Sequence, residues 1–177
     1  MKKFILAPAL AALVMFFWGF CYYGLSGVPY RALEQAPGLA AAVSSLTVDG
    51  AYMVPDPRIG EEAMAEAMKT GPYAMIQFRK VPADMGSTMI KGYLHGFISC
   101  VLVALLLVRC ESSLTTFGCR LMFCVVIGGL ITFYSNGATS IWWQHSWSWN
   151  GMTMFYDAVS WLLAGLVLAK MVAPKKA

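Results

Sequence analysis

Four long apolar blocks constrain this chain more than any other feature of its sequence. The blocks cover residues 4–23, 92–108, 121–134 and 152–172. A helix needs about 20 apolar residues to cross the hydrocarbon core of a bilayer, and the first and last blocks reach that length. The two middle blocks are shorter, and we expect flanking residues and the snorkelling side chains of Arg109 and Arg120 to complete them. The pattern predicts an all-α membrane protein with a four-transmembrane-helix bundle.

The composition supports this fold class and argues against several others. Hydrophobic residues make up 59% of the chain and charged residues 12%, whereas an average soluble domain is about a quarter charged. The five cysteines form no C-x-x-C pair, so we predict neither a thiol-redox motif nor a zinc site. The basic residues lie at the ends of the blocks rather than in one patch, so we expect no nucleic-acid partner.

The first block follows Lys2 and Lys3, as the apolar part of a signal peptide would. Its apolar run ends in the aromatic stretch 16–23, and no small-x-small cleavage site follows it. A lipoprotein reading also fails, because Phe20 stands where a small residue should precede Cys21. We therefore expect the block to be retained as the first membrane span.

The basic residues at the block ends predict the orientation of the chain. With four crossings, seven of them fall on one side: Lys2, Lys3, Arg109, Arg120, Lys170, Lys175 and Lys176. Short loops rich in Lys and Arg stay in the cytoplasm, while long loops carry little weight. We therefore expect a multi-pass protein of the bacterial inner membrane, with both termini cytoplasmic and residues 26–90 and 137–152 periplasmic.

The segment between the first two spans predicts a small α/β extracytoplasmic cap. Its proposed elements are an interrupted helix over residues 31–45, strands over 51–54 and 73–81, and a helix over 59–69. The chain then divides into a first transmembrane helix (1–25), the cap (26–90), and helices 2–4 with a Trp-rich outer loop at 137–152 (91–177).

Two ionisable residues lie within the spans, where they are costly and usually functional. His95 is just inside the outer end of the second span and Asp157 just inside that of the fourth. We expect Tyr22, Tyr23, Tyr134 and Asn136 to lie at the same depth and to form a polar cluster with them. Such a cluster would suit a quinone head group, a proton relay or a metal. The alternative is structural, with the two ionisable side chains fixing helix packing by hydrogen bonding each other or nearby backbone.

His95 and His145 also raise the question of a haem or copper ligand pair. Ligands on facing helices need matching depth, and His145 is expected in the outer loop, above the level of His95. We therefore predict no cofactor and no metal, with haem as the one alternative.

Tryptophans concentrate in the outer loop at Trp142, Trp143, Trp147 and Trp149. Tryptophan favours the membrane interface, so an aromatic belt explains the stretch. The functional alternative is a docking surface for another protein, because tryptophan dominates binding hot spots.

Small residues recur on one face of the second span. Gly92, Gly96, Ser99 and Val103 follow a small-xxx-small pattern, which is typical of closely packed membrane helices. We expect this face to pack against another helix, in the same subunit or in a neighbouring one.

Several short motifs carry a family resemblance. They are residues 15–20 (Met-Phe-Phe-Trp-Gly-Phe), residues 50–55 (Gly-Ala-Tyr-Met-Val-Pro), residues 71–73 (Gly-Pro-Tyr) and the apolar run 161–169. With them the chain resembles an uncharacterised family of small bacterial four-helix inner-membrane proteins. The resemblance implies the architecture and no activity.

The sequence favours a non-catalytic accessory or scaffold subunit of a larger membrane complex. No Ser/His/Asp or Cys/His constellation shares one depth, so no enzyme is predicted. The expected partners are the lipid bilayer and other membrane subunits or a second copy, docked through helix faces and the Trp-rich loop. The alternatives are a small transporter or channel, and a haem- or quinone-binding redox subunit that uses His95 and Asp157.

Overall fold

The computed structural model describes residues 2–172, with side chains from Ile5 onward. Four of its helices are long and apolar enough to cross a membrane, which confirms the four predicted helices. They are α1 (Lys2–Gly19), continued by a π-helical turn (Phe20–Leu25), α4 (Met85–Arg109), α5 (Phe117–Trp142) and α6 (Trp147–Met171). The chain divides into two compact units, a helical unit that runs to Glu34 and resumes at Met85, and a small unit over residues 35–84.

The long helices extend further than the sequence predicted. α4 begins at Met85, so the predicted boundary at residue 90 is wrong. The predicted outer loop at 137–152 is wrong as well, because α5 and α6 leave only residues 143–146 between them. The polar residues that suggested a loop are satisfied between the two helices. The Asn150 amide donates hydrogen bonds to the Ser140 hydroxyl (2.6 Å) and to the backbone carbonyl of Asn136 (3.1 Å).

Within the helical unit, α1 packs against α4 on one side and against α6 on the other, and α6 packs against α5. Among the described residues, α4 has few contacts with α6 and no extended contact with α5. The helices therefore follow one another in the order α4, α1, α6, α5 rather than closing into a ring. The packed side chains are small, which is typical of helices that pack within a membrane. Those with an exposure of 1% or less include Ala7, Ala11, Ala12, Cys100, Ala104 and Ala164.

Arg120 is buried near the start of α5, with 7% of its surface exposed. Its Nε donates to the carbonyl of Ala169 (2.8 Å), and its Nη1 donates to the carbonyls of Leu114 and Thr115 (both 3.1 Å). The guanidinium thus satisfies one carbonyl at the C-terminal end of α6, where a positive charge is favourable, and two in the loop before α5. We expected this side chain to snorkel, and it instead ties the α4–α5 loop to α6.

The small unit contains two helices and one antiparallel strand pair. Helix α2 (Leu39–Ser44) precedes strand β1 (Gly50–Val54), and helix α3 (Glu61–Thr70) precedes strand β2 (Ala74–Phe78). The register runs from Gly50 opposite Phe78 to Val54 opposite Ala74. The predicted strand–helix–strand order is confirmed, while the predicted helix at 31–45 is reduced to α2 and a 3-10 turn (Val28–Ala32).

The small unit has no buried residue anywhere between residues 35 and 84. Local polar contacts order its turns instead. The backbone N–H of Lys80 donates to the Asp49 carboxylate (2.7 Å), and Asp56 accepts two hydrogen bonds from the Arg58 guanidinium. These bonds and the adjacent charge of Arg58 lower the pKa of Asp56 to about 2.

Gly128 on α5 lies directly against Trp161 on α6. A Cβ atom on Gly128 would lie 2.3 Å from both Cβ and Cγ of Trp161, whereas one on Gly129 would meet nothing within 4 Å. Gly128→Ala must push the two helices apart, and overpacking of this kind costs about 1–3 kcal/mol. We expect Gly128→Ala to lower the apparent melting temperature in detergent, while Gly129→Ala leaves it unchanged or raises it. Equal melting of the two variants would contradict this packing.

Candidate functional site

A groove of about 890 Å³ lies in the helical unit, and all four long helices contribute to its lining. Because α4 is not packed along α5, the space between these two helices stays open. Residues of α1 and α6 complete its lining. α4 contributes one long face, and α5 contributes only Ile127 and Ile131. The groove is therefore a consequence of the order in which the helices pack.

Polar side chains are confined to one part of this groove. His95 and Ser99 lie in the first two-thirds of α4, and Asp157 and Ser160 lie in the middle of α6. The continuation along α4 is apolar, from Leu102 onward. At the helical rise of about 1.5 Å per residue, His95 and Asp157 each lie roughly 15 Å from the start of their helix. The polar section of the groove therefore lies near its middle, with an apolar stretch from Leu102 onward on one side and Met85 and Met89 on the other.

Asp157 is half-buried on the groove wall. Its Oδ2 accepts a hydrogen bond from the Asn136 side-chain amide (3.1 Å), and the same amide donates to the carbonyl of Thr132 (3.1 Å). The carbonyl of Asn136 in turn accepts a hydrogen bond from the Asn150 amide. A chain of side chains between α5 and α6 thus fixes the orientation of the carboxylate.

His95 is exposed on the opposite wall of the groove. Ser99 donates to the backbone carbonyl of His95 (2.9 Å), and within residues 2–172 the imidazole itself forms no hydrogen bond. The structural alternative, in which His95 and Asp157 hydrogen bond each other, is therefore not what the structure forms. Both side chains instead face the same cavity.

The π-helical turn at the end of α1 separates two neighbouring tyrosines. Tyr22 is buried, and its hydroxyl donates to the carbonyl of Met152 (3.0 Å). Its ring stacks on Trp18 and Tyr156, at centroid distances of 5.4 and 5.7 Å. Tyr23 lines the groove, with its ring 5.0 Å from that of Tyr156. Single π-turns within helices often accompany functional sites, and here the turn places Tyr23 in the lining.

The predicted polar cluster is therefore only partly assembled. His95 and Asp157 share the groove, Asn136 reaches it through Asp157, and Tyr22 lies behind it in the packing of α1 on α6. Tyr134 is 76% exposed on α5 and lies outside the groove lining. Its distance from the cluster follows from the helical period, because residues two positions apart point to different sides of a helix.

The small-residue face of α4 packs against another helix, as predicted, over only part of its length. Gly92, Gly96, Ser99 and Val103 all line the groove. A Cβ on Gly96 would lie 3.9 Å from Cβ of Ala12 on α1, while one on Gly92 would meet nothing within 4 Å. The same pattern that permits helix packing at Gly96 therefore leaves open space at Gly92. Sequence reasoning missed Tyr156 and Trp161, which reach the lining because α6 packs against α1.

The tryptophans around the connection between α5 and α6 lie away from the groove lining. Trp142, Trp143 and Trp147 are 77%, 46% and 59% exposed, and Trp149 is partly buried. His145 lies in the short connection between α5 and α6, where its backbone N–H donates to the carbonyl of Thr139 (3.2 Å). Docking of another subunit on these tryptophans stays a prediction. In the part of the chain that the structure describes, no group of three His, Cys, Asp or Glu side chains could hold a metal ion.

Comparisons with known proteins found no matching family, no matching curated protein and no matching solved structure.

Proposed function

We propose that this chain is a multi-pass membrane protein that binds a lipid-soluble amphiphile in the groove. The observation that carries the proposal is the restriction of His95, Ser99, Asp157 and Ser160 to one section of an otherwise largely apolar cavity of about 890 Å³. Small-molecule sites are typically clefts of about 300–1,000 Å³ that combine apolar walls with a few polar groups. The head group of the ligand would lie between His95 and Asp157. Its apolar tail would extend past Leu102 and Leu106.

The volume of the groove favours a small ligand over a helix from another protein. A membrane-spanning helix is about 30 Å long and 10–12 Å wide, which corresponds to a volume of roughly 2,500 Å³ or more. The groove offers about a third of that volume. The groove can therefore enclose a phospholipid tail or a molecule of similar bulk, whereas a partner helix could insert only the side chains of one face.

The charges at the helix ends support the proposed location and topology. Arg109 ends α4, Arg120 lies near the start of α5, and Lys170 lies in the last turn of α6. These residues occupy one end of the helical unit together with the N-terminus of α1, as the positive-inside rule requires of a cytoplasmic face. We therefore place both termini in the cytoplasm of a bacterial cell. The polar section of the groove then lies close to the middle of the inner membrane, about 3 Å to the outer side of the midpoints of α4 and α6.

The proposed topology predicts the behaviour of a fusion at the C-terminus. A fluorescent protein that matures only in the cytoplasm should fluoresce when fused after Ala177. The control is a fusion placed between residues 143 and 146, which should stay dark. Fluorescence from the loop fusion alone would reverse the assignment.

Substitutions at Gly92 and Gly129 test whether a ligand binds in the groove, because both positions have space for a larger side chain. Gly92 lines the groove and Gly129 is exposed outside it, and a Cβ at either position would meet nothing within 4 Å. We expect Gly92→Phe to fill the groove, while Gly129→Phe adds a ring to the outer surface. Both variants carry the same change in helix propensity, so folding should be affected similarly.

Binding is measured by quenching of tryptophan fluorescence with bromodecyl amphiphiles in phosphatidylcholine nanodiscs. Trp161 lines the groove and should be quenched by a bound brominated chain. Three probes are used: bromodecyltrimethylammonium, bromodecanol and bromodecanoate. We expect Gly92→Phe to weaken saturable quenching by at least one probe about tenfold, which is a loss of about 1.4 kcal/mol. If no probe distinguishes Gly92→Phe from Gly129→Phe, the proposed function is wrong.

A further inference from the structure

We propose that the ligand of this groove is a cationic amphiphile, whose positive centre is held by the carboxylate of Asp157 and by the aromatic rings around it. The inference rests on the proposed function and adds the charge of the head group. Three observations carry it: a carboxylate without an ion-pair partner, an aromatic wall and the absence of Lys and Arg side chains from the described lining.

The carboxylate of Asp157 lacks a countercharge in the described chain. Its partner is the neutral amide of Asn136, and within residues 2–172 it forms no ion pair. Ionisable groups within a span usually pair with an opposite charge or face a polar cavity. Asp157 faces the groove. A bound cation would supply the charge that the protein does not.

Aromatic side chains make up much of the groove lining that also contains Asp157. The rings in the lining are those of Phe16, Phe20, Tyr23, Tyr30, Tyr156 and Trp161. Tyr156 precedes Asp157 on α6 and meets Tyr23 edge to face at 5.0 Å. A cation within about 6 Å of a ring centroid is attracted to the face of the ring, and aromatic cages recognise quaternary ammonium groups in this way. A site that combines aromatic rings with a carboxylate therefore favours a weakly hydrated organic cation.

Lys and Arg side chains are absent from the groove lining among the described residues, where His95 is the one basic side chain. Lys91 lies one turn before His95 on α4, is exposed, and lies outside the lining. A fatty acid or a phosphate head group would therefore meet the carboxylate of Asp157 without a fixed cation to offset it. A neutral quinone head group, which only accepts hydrogen bonds, would leave that carboxylate uncompensated. Both are less favourable occupants than an alkylammonium.

The head group is tested with the same three bromodecyl probes, which share one chain and differ in charge. Unmodified protein should bind the trimethylammonium probe about tenfold more tightly than the alcohol, and the carboxylate probe least. Asp157→Asn keeps an acceptor for Asn136 and removes the charge, so it should abolish the preference for the cation. Asp157→Glu restores the charge and should restore the preference. Glu111→Gln, in the exposed loop after α4, is the control and should leave the preference unchanged.

The outcomes separate this inference from the proposed function. If bromodecanol or a decyl-substituted benzoquinone binds as tightly as the cation and Gly92→Phe still weakens that binding, the groove is a binding site and the inference about charge is wrong. A preference for the cation that persists in Asp157→Asn would also overturn it. Loss of all saturable binding in Asp157→Asn, without recovery in Asp157→Glu, would likewise count against a charge-specific role.

Discussion

The position of α1 between α4 and α6 is the contact on which the rest of the helical unit depends. Small side chains allow the close approach, with Ala7, Ala11 and Ala12 at most 1% exposed. Aromatic side chains then fix the position of α1. The Trp18 indole donates to the carbonyl of Tyr156 (3.2 Å) on α6, and the Tyr93 hydroxyl on α4 donates to the carbonyl of Ala9 (3.3 Å). In a bilayer, where apolar contact drives helix association only weakly, close packing and such hydrogen bonds hold helices together.

This arrangement explains why a groove forms in so small a protein. α4 packs on α1 and has no extended contact with α5 among the described residues, so its small-residue face is left partly open. α6 brings Tyr156 and Asp157 to that opening because it must contact both α1 and α5. The carboxylate is oriented by Asn136 rather than by a charge. The same packing therefore creates the cavity and leaves the carboxylate of Asp157 facing it.

The sequence predicted the helices better than their ends or their neighbours. Apolar length is a strong signal, so all four long helices were found. The ends were wrong near Ser140 and Asn150 because polar residues resemble a loop until the hydrogen bonds between α5 and α6 are known. The face of α4 around Gly92 was correctly recognised as small, but a small face suits a packed helix and an open groove equally well. The π-turn that moves Tyr23 into the lining has no sequence signal of its own.

Photolabelling would test the central claim most directly, because it asks where a lipid-soluble ligand resides. The protein in nanodiscs would be irradiated with a diazirine-bearing alkyltrimethylammonium, with and without excess unlabelled compound, and adducts would be mapped by mass spectrometry. The groove predicts competable adducts on residues 92–106 of α4 and on the peptide around Asp157. Competable adducts confined to the outer face of α5, around Val126, Leu130 and Phe133, would contradict it, since these side chains are 59%, 66% and 74% exposed and lie outside the groove lining.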